Sequence, residues 1–163
     1  CILNHNNFLG KIIDGQVVYK RCGEIVKEEL LKTFEIRKNL KLIDWVVMPN
    51  HVHVLFSVGD FQVETPGLAS LHEDSKQISV ISSHKNHPEF FKNMEIKSKQ
   101  IVSVAIQQFK GAVKRKTNKE NLFFAWQTRY YDEIIDNQKR LELIKLYIKN
   151  NPKNWQKDKF WKM

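Results

Sequence analysis

Cysteine is nearly absent: the 163 residues include only Cys1 and Cys22. Two thiols cannot build a multi-bridge framework, and their spacing matches no zinc site. A reducing, cytoplasmic compartment is therefore expected. Long apolar runs are absent too, so there is no candidate membrane span and no signal-peptide pattern. Repeats and low-complexity tracts are missing, which leaves a single domain with a real core. Acidic residues are scarce: 18 Asp and Glu stand against 27 Lys and Arg, for a net charge of +9. Such an excess attracts polyanions and favours nucleic acid over acidic small molecules as a partner.

The placement of the charge says more than its size. Lys97, Lys99, Lys110, Lys114, Arg115, Lys116 and Lys119 cluster against Glu120 alone. The tail adds Lys153, Lys157, Lys159 and Lys162 against Asp158. A solvated lysine-rich surface and a backbone-binding stripe both fit this pattern. Since the first residue is Cys1, residues upstream are expected and a first strand would be cut short.

Along the chain, Ile12–Tyr19 places Asp14-Gly15 between apolar pairs, the signal of a type I′ hairpin. Ile25, Leu30, Leu31, Phe34 and Ile36 predict an amphipathic helix over 24–40. Leu42–Met48 and Val52–Val58 predict two strands joined tightly at Pro49-Asn50. Residues 59–96 read as a long variable loop, and 101–116 as a second helix with basic residues at its C-terminal end. Aromatic and β-branched residues predict a strand over 123–135. A third helix is expected over 138–150, closed by Pro152. The order points to an α+β fold, ferredoxin-like or RRM-like, with helices packed on one face of a mainly antiparallel sheet.

Three constellations carry candidate chemistry. In His51-Val52-His53 the two imidazoles share one face of a strand and can reach one cation, while Val52 faces inward. Surface histidines fit the same pattern. Tyr147 and Asn151 are one helical turn apart, so a phenol able to attack phosphorus sits beside an amide oxygen able to complete a coordination shell. An ordinary amphipathic helix end fits equally. In the block from Phe124 to Asp132, aromatics interleave with Gln127 and Arg129, as in surfaces that stack bases and contact phosphates. A half-buried strand fits too, and there Trp126 suits a core better than a platform.

Taken together, these stretches resemble one family. Trp45-Val46-Val47-Met48-Pro49-Asn50-His51-Val52-His53-Val54-Leu55 resembles the HUH motif of single-tyrosine transposases. Trp126-Gln127 through Tyr131-Asp132-Glu133-Ile134-Ile135 and Asn137 is similar to their downstream block. Tyr147-Ile148-Lys149-Asn150-Asn151-Pro152 resembles their tyrosine helix. The combination looks closest to the REP-associated branch, the transposase IS200-like group, although Asp136 replaces an arginine usual in relatives. The resemblance runs from about Phe8 onward.

It implies that His51, His53 and Asn151 bind Mg²⁺ or Mn²⁺, and that Tyr147 attacks a phosphodiester of single-stranded DNA near a hairpin. A 5′-phosphotyrosine link and a free 3′-hydroxyl would result. Lys110, Lys114, Arg115 and Lys116 would hold the DNA backbone, with Trp126, Gln127 and Arg129 as further contacts. The resemblance also implies a bacterial protein working at the nucleoid, with a homodimer among the expected assemblies. Two other readings compete: a non-catalytic RRM-like binding module, and a metal-dependent nuclease that uses water as nucleophile.

Overall fold

The computed structural model describes residues 9–59 and 88–161, with side chains in the second stretch from 95 onward. Residues 1–59 with 107–163 make one unit and 60–106 another. The elements that position the site lie in the first unit.

The chain enters through a hairpin of β1 (Gly10–Ile13) and β2 (Gln16–Tyr19). Asp14 and Gly15 both take positive φ, 49° and 72°, as a type I′ turn requires. Helix α1 follows at once over Arg21–Glu35, three residues earlier than expected. Its N-terminal charges explain the early start: the Arg21 guanidinium reaches Glu24 at 3.1 Å, inside its own first turn. It also ends earlier than the expected residue 40. Leu40 N–H bonds to the Arg37 carbonyl at 3.0 Å, and this turn delivers a buried Leu40 to the next strand. Apolar periodicity alone could not separate the last helical residue from the first strand residue.

Gly23 sets how close α1 comes to the chain before the hairpin. A Cβ there would lie 2.0 Å from the Leu9 carbonyl oxygen. Gly23→Ala should therefore destabilise the fold by on the order of 1–3 kcal/mol in urea unfolding, because backbone rather than a flexible side chain must yield. An unchanged midpoint would contradict this packing.

Strands β3 (Leu40–Val47) and β4 (Val52–Val58) form the central antiparallel hairpin, with an irregularity between Leu42 and Asp44. Successive residues on these strands feed opposite faces. Val47, Val52 and Val54 pack with Ile25, Val26 and Leu30 of α1 and with Phe109, Val113 and Phe124. Val46, Met48 and Leu55 pack with Ile148 and Trp155 in a second core. His53 pairs with Val46 across the hairpin and therefore stands on the second face.

Helix α2 runs over Pro88–Lys119, much longer than the expected 101–116. The loop reading is thus corrected for 88–96; residues 60–87 lie outside the described residues. Proline is well tolerated in a first helical turn, so Pro88 opens this helix instead of interrupting a loop.

The expected strand over 123–135 does not form, apart from a single bridging residue at Trp126. Only Phe124 and Trp126 of its aromatics pack in the first core, without a ladder; Phe123, Tyr130 and Tyr131 are exposed. Phe124 is fully buried, and lysines take the backbone carbonyls: Lys114 Nζ donates to Phe124 O and Lys110 Nζ to Gln127 O, each at 2.6 Å. Burying a phenylalanine contributes about 1.5–3 kcal/mol. The exposed Arg21–Glu120 pair nearby is screened by solvent and adds little. Packing therefore holds this segment more than charge does.

Helix α3 (Gln138–Asn150) has the expected bounds. Asn137 caps it, its side-chain oxygen accepting from Arg140 N–H at 2.9 Å. Beyond Pro152 the chain continues through a turn into a short 3-10 helix, Trp155–Lys157. The α+β class holds: two two-stranded antiparallel sheets and three α-helices among the described residues. The helices cover both faces of the β3–β4 hairpin, and α3, on the second face, meets His53.

Candidate functional site

His51 precedes β4, in the turn closed by Met48 N–H on the His51 carbonyl at 2.8 Å. His53 lies within the strand. The turn inverts the chain between two buried residues, Met48 and His51, so the His51 ring points inward and is only 1% exposed. Its ring sits against Phe160 and Trp155, with centroids 4.8 and 5.9 Å away.

Hydrogen bonding fixes the His51 tautomer. Asn50 Nδ2 donates to the Phe160 carbonyl at 2.8 Å, which leaves Asn50 Oδ1 facing His51 Nδ1 at 2.8 Å. An amide oxygen only accepts, so Nδ1 carries the proton and Nε2 presents a lone pair. That Nε2 lies 2.9 Å from His53 Nε2. Two nitrogens bound to one ion at about 2.1 Å and at a right angle would be about 3 Å apart, so the spacing suits shared coordination.

The tyrosine arrives from α3. Tyr147 Oη lies 3.5 Å from His53 Nε2, and the two rings meet edge-on with centroids 5.2 Å apart. One turn later Asn151 is 3% exposed. Its Nδ2 donates to Asp158 Oδ2 at 3.2 Å, and its buried Oδ1 has no hydrogen-bond partner among the described residues. An unpaired buried acceptor costs about 1–3 kcal/mol and calls for a ligand. The structure thus brings together Tyr147, His51, His53 and Asn151.

Sequence reasoning missed Asp158. Its Oδ1 accepts the Phe160 N–H at 2.7 Å. Its Oδ2 accepts the Tyr147 hydroxyl at 3.4 Å and lies 3.8 Å from His51 Nε2. The side chain is 3% exposed. His51, His53 and Asp158 offer three ligand atoms within 4.8 Å of one another, a group able to hold a metal ion. Asn151 joins this group through its Nδ2 donation to Asp158 Oδ2. The available signal was one carboxylate in a lysine-rich tail, bracketed by the aromatic anchors Trp155 and Phe160.

Burial first, and then the charge of His53, lower the His51 pKa from 6.5 to about 3. Burial likewise lowers that of His53 to about 4, with Asp158 opposing. Both rings are neutral at pH 7, the form that binds metal. The unfolded chain binds more protons than the folded one between pH 6.5 and about 4, so folding stability falls as pH drops through that window. Thermal melts with chelator present should show a steeper loss from pH 7 to 4.5 for the natural chain than for His53→Gln. Parallel losses would contradict the burial of a neutral His53.

Comparison with known proteins adds one relative and no family. The chain is 24% identical over 165 residues to an uncharacterized protein of Haemophilus influenzae, covering 99% of this chain and 81% of that protein. No protein-family model matches the chain, and no solved structure does.

The expected DNA contacts are not gathered at the His–Tyr centre. Lys110 and Lys114 hold the 124–127 segment. Lys116 pairs with Glu28 at 2.5 Å and Glu29 at 3.4 Å. Trp126 packs against Phe109 and Phe124 and donates from Nε1 to the Lys110 carbonyl at 3.1 Å. These groups belong with the first core, across the β3–β4 hairpin from Tyr147. Arg115, Gln127 and Arg129 are exposed. Among the described residues, no helix is long and apolar enough to cross a membrane.

Proposed function

We propose that the chain is a DNA strand transferase of the single-tyrosine HUH transposase type, cutting and rejoining single-stranded DNA near hairpins. The observation that carries this reading is the approach of Tyr147 Oη to His53 Nε2 at 3.5 Å, with His51 Nε2 2.9 Å beyond. A phenol, two neutral imidazoles and a carboxylate share one small space, an arrangement suited to a metal-assisted covalent phosphoryl transfer.

Tyr147 Oη attacks the scissile phosphorus. The Tyr–O–P bond forms, the P–O3′ bond breaks, and the proton given up by the phenol is balanced by the one the departing 3′ oxygen takes, so it leaves as a hydroxyl. One phosphoester replaces another, so the reverse attack by a 3′-hydroxyl reseals the strand without an external energy source. Burial, and then the Asp158 carboxylate, raise the Tyr147 pKa, so the phenol is neutral at rest. Asp158 Oδ2 holds the phenolic proton at 3.4 Å and orients the oxygen. Asn50 and Phe160 keep His51 in one tautomer.

His51, His53, Asp158 and Asn151 Oδ1 would hold the divalent metal, Mg²⁺ or Mn²⁺. When bound, it supplies positive charge that polarises the phosphate and offsets the repulsion between Asp158 and a phenolate. Magnesium prefers all-oxygen shells, so the two imidazoles make Mn²⁺ the better probe.

The exposed cationic surface, Arg115 and Arg129 included, supports salt-dependent binding of a DNA backbone. A place at the bacterial nucleoid and a homodimer both accord with this reading. The test is incubation of the whole chain with end-labelled hairpin DNA carrying single-stranded flanks, with Mn²⁺. A labelled species that survives detergent and heat, together with a shortened strand, is the expected result. Binding without cleavage leaves only a binding module, and cleavage without an adduct points to water as nucleophile.

A further inference from the structure

Helix α3 has two apolar faces. Leu141, Ile144 and Ile148 seat it in the second core. Leu143, Leu146 and Tyr147 point outward, 58%, 55% and 49% exposed. Their i, i+3, i+4 spacing makes one continuous stripe ending at the phenol. Beside the stripe runs a cleft of about 620 Å³, walled by Leu143, Leu146, Asn150, Asn154, Lys157 and Lys159 and opening onto Tyr147 and Asp158. Its size falls among small-ligand sites, about 300–1,000 Å³.

We propose that this cleft is a base-reading subsite, taking an unpaired nucleobase adjacent to the scissile phosphate of a single DNA strand. The inference rests on the strand-cleaving function proposed above and adds where its sequence preference originates. An apolar floor contacts the face of any base. The Asn150 and Asn154 side-chain amides each offer a donor and an acceptor, the chemistry that reads base edges. Lys157 and Lys159 place two cations at the rim, suited to the flanking phosphates. Asp158 does not oppose an anionic strand strongly, because its side chain is 3% exposed and its oxygens already face Phe160 N–H, Asn151 Nδ2 and the Tyr147 hydroxyl. Charge complementarity selects this occupant over an apolar segment of a second copy. A cationic rim suits a strand of phosphates, and the chain as a whole carries a net charge of +9.

The experiment is an abasic scan. A hairpin oligonucleotide carries single-stranded flanks in which each position in turn lacks its base, and cleavage by the whole chain with Mn²⁺ is timed. One or two flank positions should lose about tenfold or more in rate when the base is removed. In Asn150→Ala/Asn154→Ala, removing the same bases should cost no more than about twofold, with the circular dichroism spectrum unchanged. If no position is sensitive, or if the double variant keeps the sensitivity of the natural chain, the subsite is refuted while cleavage itself stands. If the natural chain cleaves no hairpin and forms no adduct, the strand-cleaving function falls and the subsite with it.

Discussion

Adding Mn²⁺ at about a hundred times its dissociation constant should stabilise the chain by about 2.7 kcal/mol, because the folded state alone presents the assembled ligands. For a domain of this size that corresponds to a melting-temperature rise of roughly 5–10 °C. His53→Gln should lose the rise, and strand cleavage should fall by about a hundredfold or more. His53 is the better choice for substitution. His51 is 1% exposed and wedged against Phe160 and Trp155, so removing it opens a cavity as well as deleting a ligand. Asp158→Asn provides a separate check. The amide still accepts from the Phe160 N–H but brings no charge and turns a donor toward Asn151 Nδ2, so the Mn²⁺ shift should shrink and the metal-free chain should lose about 1–3 kcal/mol as well. A full Mn²⁺ response in His53→Gln would move the metal elsewhere.

Tyr147→Phe should leave folding and DNA binding nearly unchanged and lower cleavage by about ten-thousandfold or more, with no adduct at all. Stability is spared because the side chain is half exposed and its hydroxyl contacts are long, 3.4 Å to Asp158 and 3.5 Å to His53. Substitutions at such positions usually move stability by about 0.5 kcal/mol. Chemistry is not spared, since no other phenol approaches the histidine pair among the described residues. Tyr130 and Tyr131 lie in the segment that follows the first core, and Tyr19 packs against that core too. Cleavage persisting in Tyr147→Phe would mean that water is the nucleophile.

Much of the scaffold was legible because its signals are local. Asp14-Gly15 dictates its turn by backbone sterics, and α3 carries its own cap at Asn137 and a proline just past its end. Strand alternation foretold that His51 and His53 share a face, although His51 sits in the turn just before β4, and the helical turn foretold that Tyr147 and Asn151 do. What stayed hidden depends on distant parts of the chain. Asp158 acquires its role only when Trp155 buries beside Val46 and Met48 and carries the tail back over His51. Within the sequence it was one acid among lysines. The segment from Phe123 misled because only Phe124 and Trp126 of its aromatics pack beside Phe109 of α2, while Phe123, Tyr130, Tyr131 and Ile134 face outward without a partner strand among the described residues. Lys110 and Lys114, read as phosphate ligands, each also reach a backbone carbonyl of that same segment, a contact no local pattern announces.

On the proposed mechanism the Tyr147 oxygen becomes bonded to DNA. Digesting the trapped protein–DNA species with nuclease and trypsin, then sequencing peptides by mass spectrometry, tests it most directly. Trypsin cuts after Lys145 and Lys149, so the residual 5′-nucleotide should appear on the peptide Leu146-Tyr147-Ile148-Lys149, attached to the tyrosine. A nucleotide on any other residue, or a cleaved strand with every peptide unmodified, would contradict the account.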